Sequence, residues 1–401
     1  MSDIPGPPSS GESGERSSSD ETPPAAGQAR RRRGGFGSDV FKLVGGTTLA
    51  QIITVLTAPI LSRLYDPNDF GTLSVFVSLI GIVAVVVCLR YEYAIVLPEQ
   101  DDEALNVAAT SLAAALLVSG MGVVVIAVAG EAIVRVLNAP DLAPFLWLMP
   151  LALAIQGVFQ TANQWNGRLR RFGRVSTARV AASLTTSALP MGLAALGRAG
   201  PGALIGSWFA GTAVSTGLLA GQALRRGPGS VQRRLLLSRI SWSGIAYSLK
   251  RYRKFPLVDS WGALLNNLSW QLPNLMLSAF FSTAIVGLYS LSSRIILLPM
   301  TLVGNAVGQV FYQKAAELRH DRQALARTAE MVFGRLVALG LLPALALTIL
   351  GEELFTVVFG PNWAEAGVYA QILAPWMFLL VVSSPLSNLF AILERQELAL
   401  I

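Results

Sequence analysis

Ten largely apolar stretches divide this chain. They run approximately over residues 40–64, 71–97, 104–129, 141–164, 174–197, 201–224, 257–281, 284–312, 325–350 and 366–392. Each is near the roughly 20 residues a helix needs to cross the hydrocarbon core of a bilayer. Hydrophobic residues make up 53% of the chain and charged ones 14%, against roughly 25% charged in a soluble domain. The chain reads as an all-α polytopic membrane protein. Its formal charge of +7 is carried in short clusters between the apolar runs. That is the pattern of cytoplasmic loops, so no nucleic-acid partner is expected. Cys88 is the one cysteine and lies inside an apolar run, so no disulfide framework is available. His320 is the one histidine and sits among loop charges, so neither a metal cluster nor a cofactor site is expected.

Residues 1–37 are rich in Ser, Pro, Gly and Glu and read as a disordered cytoplasmic tail ending in Arg30–Arg33. The loops beyond it alternate in charge. Arg168, Arg170, Arg171, Arg174 and Arg179 follow the fourth span, nine bases from Arg225 to Lys254 follow the sixth, and Lys314, Arg319, Arg322 and Arg327 follow the eighth. The opposite loops hold only Arg63, Arg135 and Arg198. This bias orients both termini toward the cytoplasm; the acids at 99–103, in place of bases after the second span, weigh little in the rule. The division expected is a tail (1–37), a six-helix lobe (38–224), a basic linker (225–256) and a four-helix part (257–401). Trp242, Ile245 and Tyr247 in the linker could line an amphipathic surface helix.

Within the eighth span, Arg294 lies about a third of the way along an otherwise apolar run. A charge at that depth costs roughly 2.5–3.5 kcal/mol on insertion scales, so such residues usually face a bundle interior or a wet cavity. Thr301, Asn305, Gln309 and Tyr312 continue its face at helical spacing. Either this stripe lines a pathway, or Arg294 snorkels to the interface and the polar groups bond neighbouring helices. Other spans carry amides: Gln51 with Thr47 and Thr54 in the first, Gln156, Gln160 and Asn163 in the fourth, and Asn267, Gln271 and Asn274 beside Trp270 in the seventh. For each amide, interhelical bonding competes with ligand binding. Arg90 and Glu92 close the second span, projecting to different sides of a helix. Glu92 reads either as a coupling site for protons or cations, or as an interfacial charge paired elsewhere.

The chain also repeats itself. A shift of 216 residues superposes Leu61-Ser62 on Leu277-Ser278, Gly71 on Gly287, Ser74 on Ser290 and Gln51 on Asn267. A shift of 221 superposes Gly130-Glu131 on Gly351-Glu352 and Pro140 on Pro361. The offset covers an even number of spans, so the copies would share orientation about an axis along the membrane normal, with a substrate site between them.

Several segments resemble bacterial polysaccharide transporters, specifically the O-antigen (Wzx-like) lipid-linked oligosaccharide flippases of the multidrug/oligosaccharidyl-lipid/polysaccharide superfamily. They are Leu64–Gly71, Leu89–Pro98, Gly287-Leu288-Tyr289 with Arg294, Pro299 and Gln309-Val310-Phe311, and Phe359–Gly367. The resemblance implies two parallel-repeat lobes of six helices around a central cavity, with about ten helices here and the second lobe incomplete. It implies flipping of polyprenyl-pyrophosphate-linked oligosaccharide across the inner membrane by alternating access, among membrane lipids, with a polymerase and chain-length proteins as further pathway partners. Pyrophosphate calls for arginine, hence Arg294 first and Arg90 second; sugars call for amides, hence Gln51, Gln156, Gln160, Asn267, Gln271, Asn274, Asn305 and Gln309. A cation-coupled drug exporter is the second reading and a membrane enzyme of polysaccharide assembly the third.

Overall fold

The computed structural model describes residues 26–224, 240–298, 304–318 and 321–393. Twelve α-helices carry the described chain. They are α1 (Ala26–Leu64), α2 (Pro67–Ala84), α3 (Asp101–Val136), α4 (Leu148–Arg168), α5 (Phe172–Ala195), α6 (Pro201–Leu224), α7 (Trp242–Arg251), α8 (Ser260–Phe280), α9 (Thr283–Ile296), α10 (Asn305–Glu317), α11 (Arg322–Phe359) and α12 (Ala364–Ile392). No strand occurs among the described residues. Among the described residues, six segments are long and apolar enough to cross a membrane: Gly45–Leu64, Pro67–Ala84, Asp101–Val136, Pro201–Gly221, Arg322–Phe359 and Pro361–Ser387. The chain is an all-α polytopic membrane protein.

Its packing fits a lipid solvent. Small and hydroxyl-bearing residues such as Thr72, Ser78, Ser111, Thr161 and Ser278 are buried, while Leu56, Leu116, Val128 and Leu342 point outward. Between helices in lipid there is little hydrophobic drive, so close packing and interhelical hydrogen bonds hold the bundle instead.

The tightest junction is between α2 and α9. Gly71 presses on the Thr283 carbonyl, and Gly287 presses on the Pro67 carbonyl. Ser74 and Ser290 share a hydrogen bond of 2.9 Å between their hydroxyls. Each pair in this junction is related by the 216-residue offset read in the sequence. The helix starts obey it too: α2 opens behind Asp66, whose N–H is bonded by Asp69, and α9 behind Ser282, whose hydroxyl accepts from the Ile285 N–H. Equivalent groups meeting reciprocally are the mark of a two-fold contact, here within one chain. The two helices run in the same sense, as an axis along the membrane normal requires.

At the end of the bundle away from the linker, the segments before and after it are sewn together. Ser62 donates to the Phe359 carbonyl (2.9 Å) and Trp363 Nε1 donates to the Ser62 carbonyl (2.7 Å). Ser278 donates to Leu137 (2.5 Å), Asn138 to Phe281 (2.8 Å) and Arg63 to Val357 (3.1 Å). The Trp363 indole is fully buried edge-on against Phe70.

Three expectations need correcting. The second span is not one helix to residue 97: α2 stops at Ala84, the chain turns through left-handed Leu89 and Arg90 (φ 50° and 64°), and a 3-10 turn follows over Tyr91–Val96. Three β-branched residues, Val85–Val87, come at the break and lose side-chain freedom in a helix. Residues 26–37 are helical rather than disordered, continuing α1 through an arginine run of good helix formers. The eighth span is described as two helices, α9 and α10, with Thr301 outside the described residues. In the linker, α7 covers the Trp242 stretch; residues 225–239 lie outside the described chain.

Because the α2–α9 contact is glycine against backbone, neither side can yield by turning a side chain. Gly71→Ala or Gly287→Ala should part the helices at a cost of about 1–3 kcal/mol, seen as a lower melting temperature in detergent. Gly262→Ala, whose added methyl meets open space, should leave it unchanged.

Candidate functional site

Arg294 stands on the last turn of α9 and reaches into the interior between neighbouring helices. It lines two hollows at once. One, of about 310 Å³, is walled by Trp270 and Asn274 of α8, Tyr289 and Ser293 of α9, and Trp376 of α12. The other, of about 300 Å³, is walled by Thr47, Gln51 and Thr54 of α1, Arg179 and Ser183 of α5, and Ser215 of α6. Each is at the small end of the range for ligand pockets. The Arg294 side chain is exposed within this space, and no described residue forms an ion pair or hydrogen bond with it. A guanidinium open to a hollow, with no carboxylate opposite, keeps its donors available for hydrogen bonding.

The hollows are polar at chosen points. Arg179 Nη1 donates to the Thr47 hydroxyl (2.8 Å), and Ser183 bonds the Thr54 hydroxyl (2.9 Å) and the Ala50 carbonyl (2.7 Å). These bonds fix α5 on α1 and leave the guanidinium of Arg179 at the wall. Across the other hollow, Asn274 Oδ1 and Ser293 Oγ are buried without a protein partner, as groups are that bond to water or a ligand. Trp270 and Trp376 offer aromatic faces, each about half exposed.

A larger hollow of about 1000 Å³ lies between α11 and α12, lined mostly by Leu, Val and Phe. Its polar groups are only Arg322, Ser383 and Ser387 in an otherwise apolar wall, with no amide or indole, so size alone does not make it the site.

Arg294, Gln51 and Asn274 are thus brought together around the two hollows. Asn267, Gln271 and Gln160 turn toward α2. Asn267 donates to the Gly81 carbonyl (2.5 Å) and Gln160 to the Ala84 carbonyl (2.9 Å), both in the last turn of α2. Gln271 accepts from Ser78, and Asn274 donates to the same hydroxyl. A broken helix in lipid needs such partners from its neighbours. Gln156 is half-buried on α4 and lines neither hollow. Asn305 and Gln309 belong to α10, but their side chains lie outside the described residues.

Arg90 is also elsewhere. At the linker end it donates through Nε to Asp259 at 2.6 Å and stacks over Tyr93 at 4.2 Å. Among the described residues this is the one ion pair joining the chain before the linker to the chain after it. Glu92, in the 3-10 turn beyond α2, is buried with Oε2 unpartnered. Burial pushes its carboxyl up from 4.5 to about 7, against the pull of the nearby Arg90 charge.

In sequence, Arg179 is masked by its position directly after the loop bases Arg168, Arg170, Arg171 and Arg174. Its signal was the stripe Arg179, Ser183, Ser187 at four-residue spacing, matching the stripe Thr47, Thr54, Thr57 on α1.

A model of the polysaccharide biosynthesis protein family matches residues 60–368. The chain belongs to that family. It is 26% identical over 343 residues to a succinoglycan biosynthesis transport protein, ExoT, of Rhizobium meliloti (strain 1021), covering 84% of this chain and 65% of that protein. It is 22% identical over 373 residues to the lipopolysaccharide biosynthesis protein WzxC of Escherichia coli (strain K12), covering 89% of this chain and 71% of that one. The chain therefore spans about two thirds of the length of these curated relatives. No solved structure matches it.

The Glu92 carboxyl gives a signed pH dependence. Because folding favours its neutral form, stability should fall as pH climbs from 4.5 toward 7 and level off above. Glu92→Gln should flatten that slope in melting curves taken from pH 5 to 8; an unchanged slope would remove Glu92 as its source.

Proposed function

We propose that this chain carries a polyprenyl-pyrophosphate-linked oligosaccharide across the bacterial cytoplasmic membrane for surface polysaccharide assembly, by transport rather than enzymatic chemistry. The observation that carries the proposal is the exposed, unpaired guanidinium of Arg294 between two hollows, deep in an apolar bundle. Arg294 and Arg179 would hold the pyrophosphate, and Gln51, Asn274, Trp270 and Trp376 the sugars, while the lipid tail stays in the bilayer. Family membership and the names of the two relatives point the same way. The linker end, rich in bases, would face the cytoplasm with both termini. In that frame the sewn seam lies outside, and the hollow is closed to the exterior. Alternating access would exchange that seam for closure at the linker end, where Arg90 and Asp259 already touch.

A second reading, a cation-coupled exporter of smaller molecules, has one observation in its favour. Glu92 is a buried carboxyl that titrates near 7, a property suited to a proton-coupled step. Glu92 would serve as a coupling group under either reading.

In a strain lacking its own copy, Arg294→Ala should cut surface polymer roughly 10- to 100-fold, the worth of a charge-assisted bond, with the protein still inserted. Arg294→Lys should fall between, keeping charge and losing the planar fork. Normal polymer from Arg294→Ala would remove the residue from the mechanism. Altered drug susceptibility with intact polymer would favour the exporter.

A further inference from the structure

Helix α7 plays no part in the hollow, yet it is fastened to the bundle. The Ser241 N–H donates to Asn106 Oδ1 (3.0 Å), the Tyr252 hydroxyl donates to Glu103 (3.0 Å), and Gly244 rests on Asn106. Both acceptors lie within the first two turns of α3, so α7 lies across the mouth of a spanning helix, at the edge of the hydrocarbon. Ser248 and Ile245 turn inward. Beside that inward stripe, Trp242 is 87% exposed and Leu249 is 45% exposed. Directly after them come Lys250, Arg251, Arg253 and Lys254, all exposed, and none pairs with a described acid. The nearby acids are otherwise engaged: Glu103 with Tyr252 and Asp259 with Arg90.

An exposed indole and leucine are unfavourable in water, and four bases within five positions are unfavourable beside one another. Both are relieved in the headgroup layer, where indole is favoured and bases meet phosphates. The bases also end the helix, where its dipole favours positive charge. The geometry points to α7 and the following turn being a docking surface for anionic phospholipid of the leaflet at the linker end. Trp242 and Leu249 dip to the acyl boundary, and the 250–254 cluster gathers lipid phosphates. This is independent of what the transporter carries.

The test is competition binding to the purified full chain in mixed micelles, with phosphatidylglycerol against phosphatidylcholine. The chain should prefer phosphatidylglycerol by roughly tenfold or more, since each base near an anionic surface adds to the attraction. Lys250→Gln, Arg251→Gln, Arg253→Gln and Lys254→Gln together should abolish most of that preference, while Arg322→Gln with Arg327→Gln should keep it. Should the fourfold variant fail to insert, the unaltered chain still decides, because its preference should collapse between 50 mM and 500 mM salt. A nitroxide on Tyr247→Cys, in a Cys88→Ser background, should report headgroup depth in vesicles. An equal preference in the fourfold variant, a salt-independent preference, or a nitroxide in bulk water would overturn the inference.

Discussion

The rest of the bundle hangs on the contact of two glycines with two backbone carbonyls. Where Gly71 and Gly287 cross, α2 and α9 come closer than any side chain would permit. The equivalent serines three residues on, Ser74 and Ser290, then lie within a hydrogen bond. That crossing fixes α9 in rotation. Ser290 must face α2, and Arg294, one turn later, is carried to the space between α8 and α12 on one side and α1 and α5 on the other. The arginine thereby lines both hollows.

Holding a charge there is costly in hydrocarbon, and the surroundings reduce the cost without cancelling it. No described carboxylate approaches Arg294. Instead the wall is built of hydroxyls, amides and indoles, groups that water can join. A salt bridge would have neutralised the charge; under the proposed function, the open guanidinium is what receives the anion. The contrast with the linker end is instructive. There Arg90 is paired, stacked and held by a strained turn at Leu89–Arg90, a structural tie between two parts of the chain.

Much of this was legible in the residues. Apolar runs of membrane length stand out whatever the fold, and an arginine inside one is conspicuous, so Arg294 could be read directly. The repeat could be read as well, because glycine and serine at a junction cannot drift without destroying it. The break in α2 could not, since Val85–Val87 extend the apolar run without interruption and hydropathy is blind to helix ends. That concealed break also misdirected the amides. Asn267 and Gln160 look like ligand groups on a helical face until they are seen to donate to the carbonyls of Gly81 and Ala84. Arg179 was hidden differently: a charge two turns inside a helix looks, in sequence, like the last member of the loop cluster before it.

The central claim is that Arg294 faces water rather than lipid, and chemical access to position 294 tests it most directly. In a Cys88→Ser background, Arg294→Cys in sealed vesicles should react with a small charged thiol reagent admitted to the linker side. Its rate should approach that of a cysteine on an exposed loop, and bulky anionic sugar phosphates should slow it. Reaction with lipid-soluble maleimides alone, with charged reagents excluded from both sides, would contradict the account.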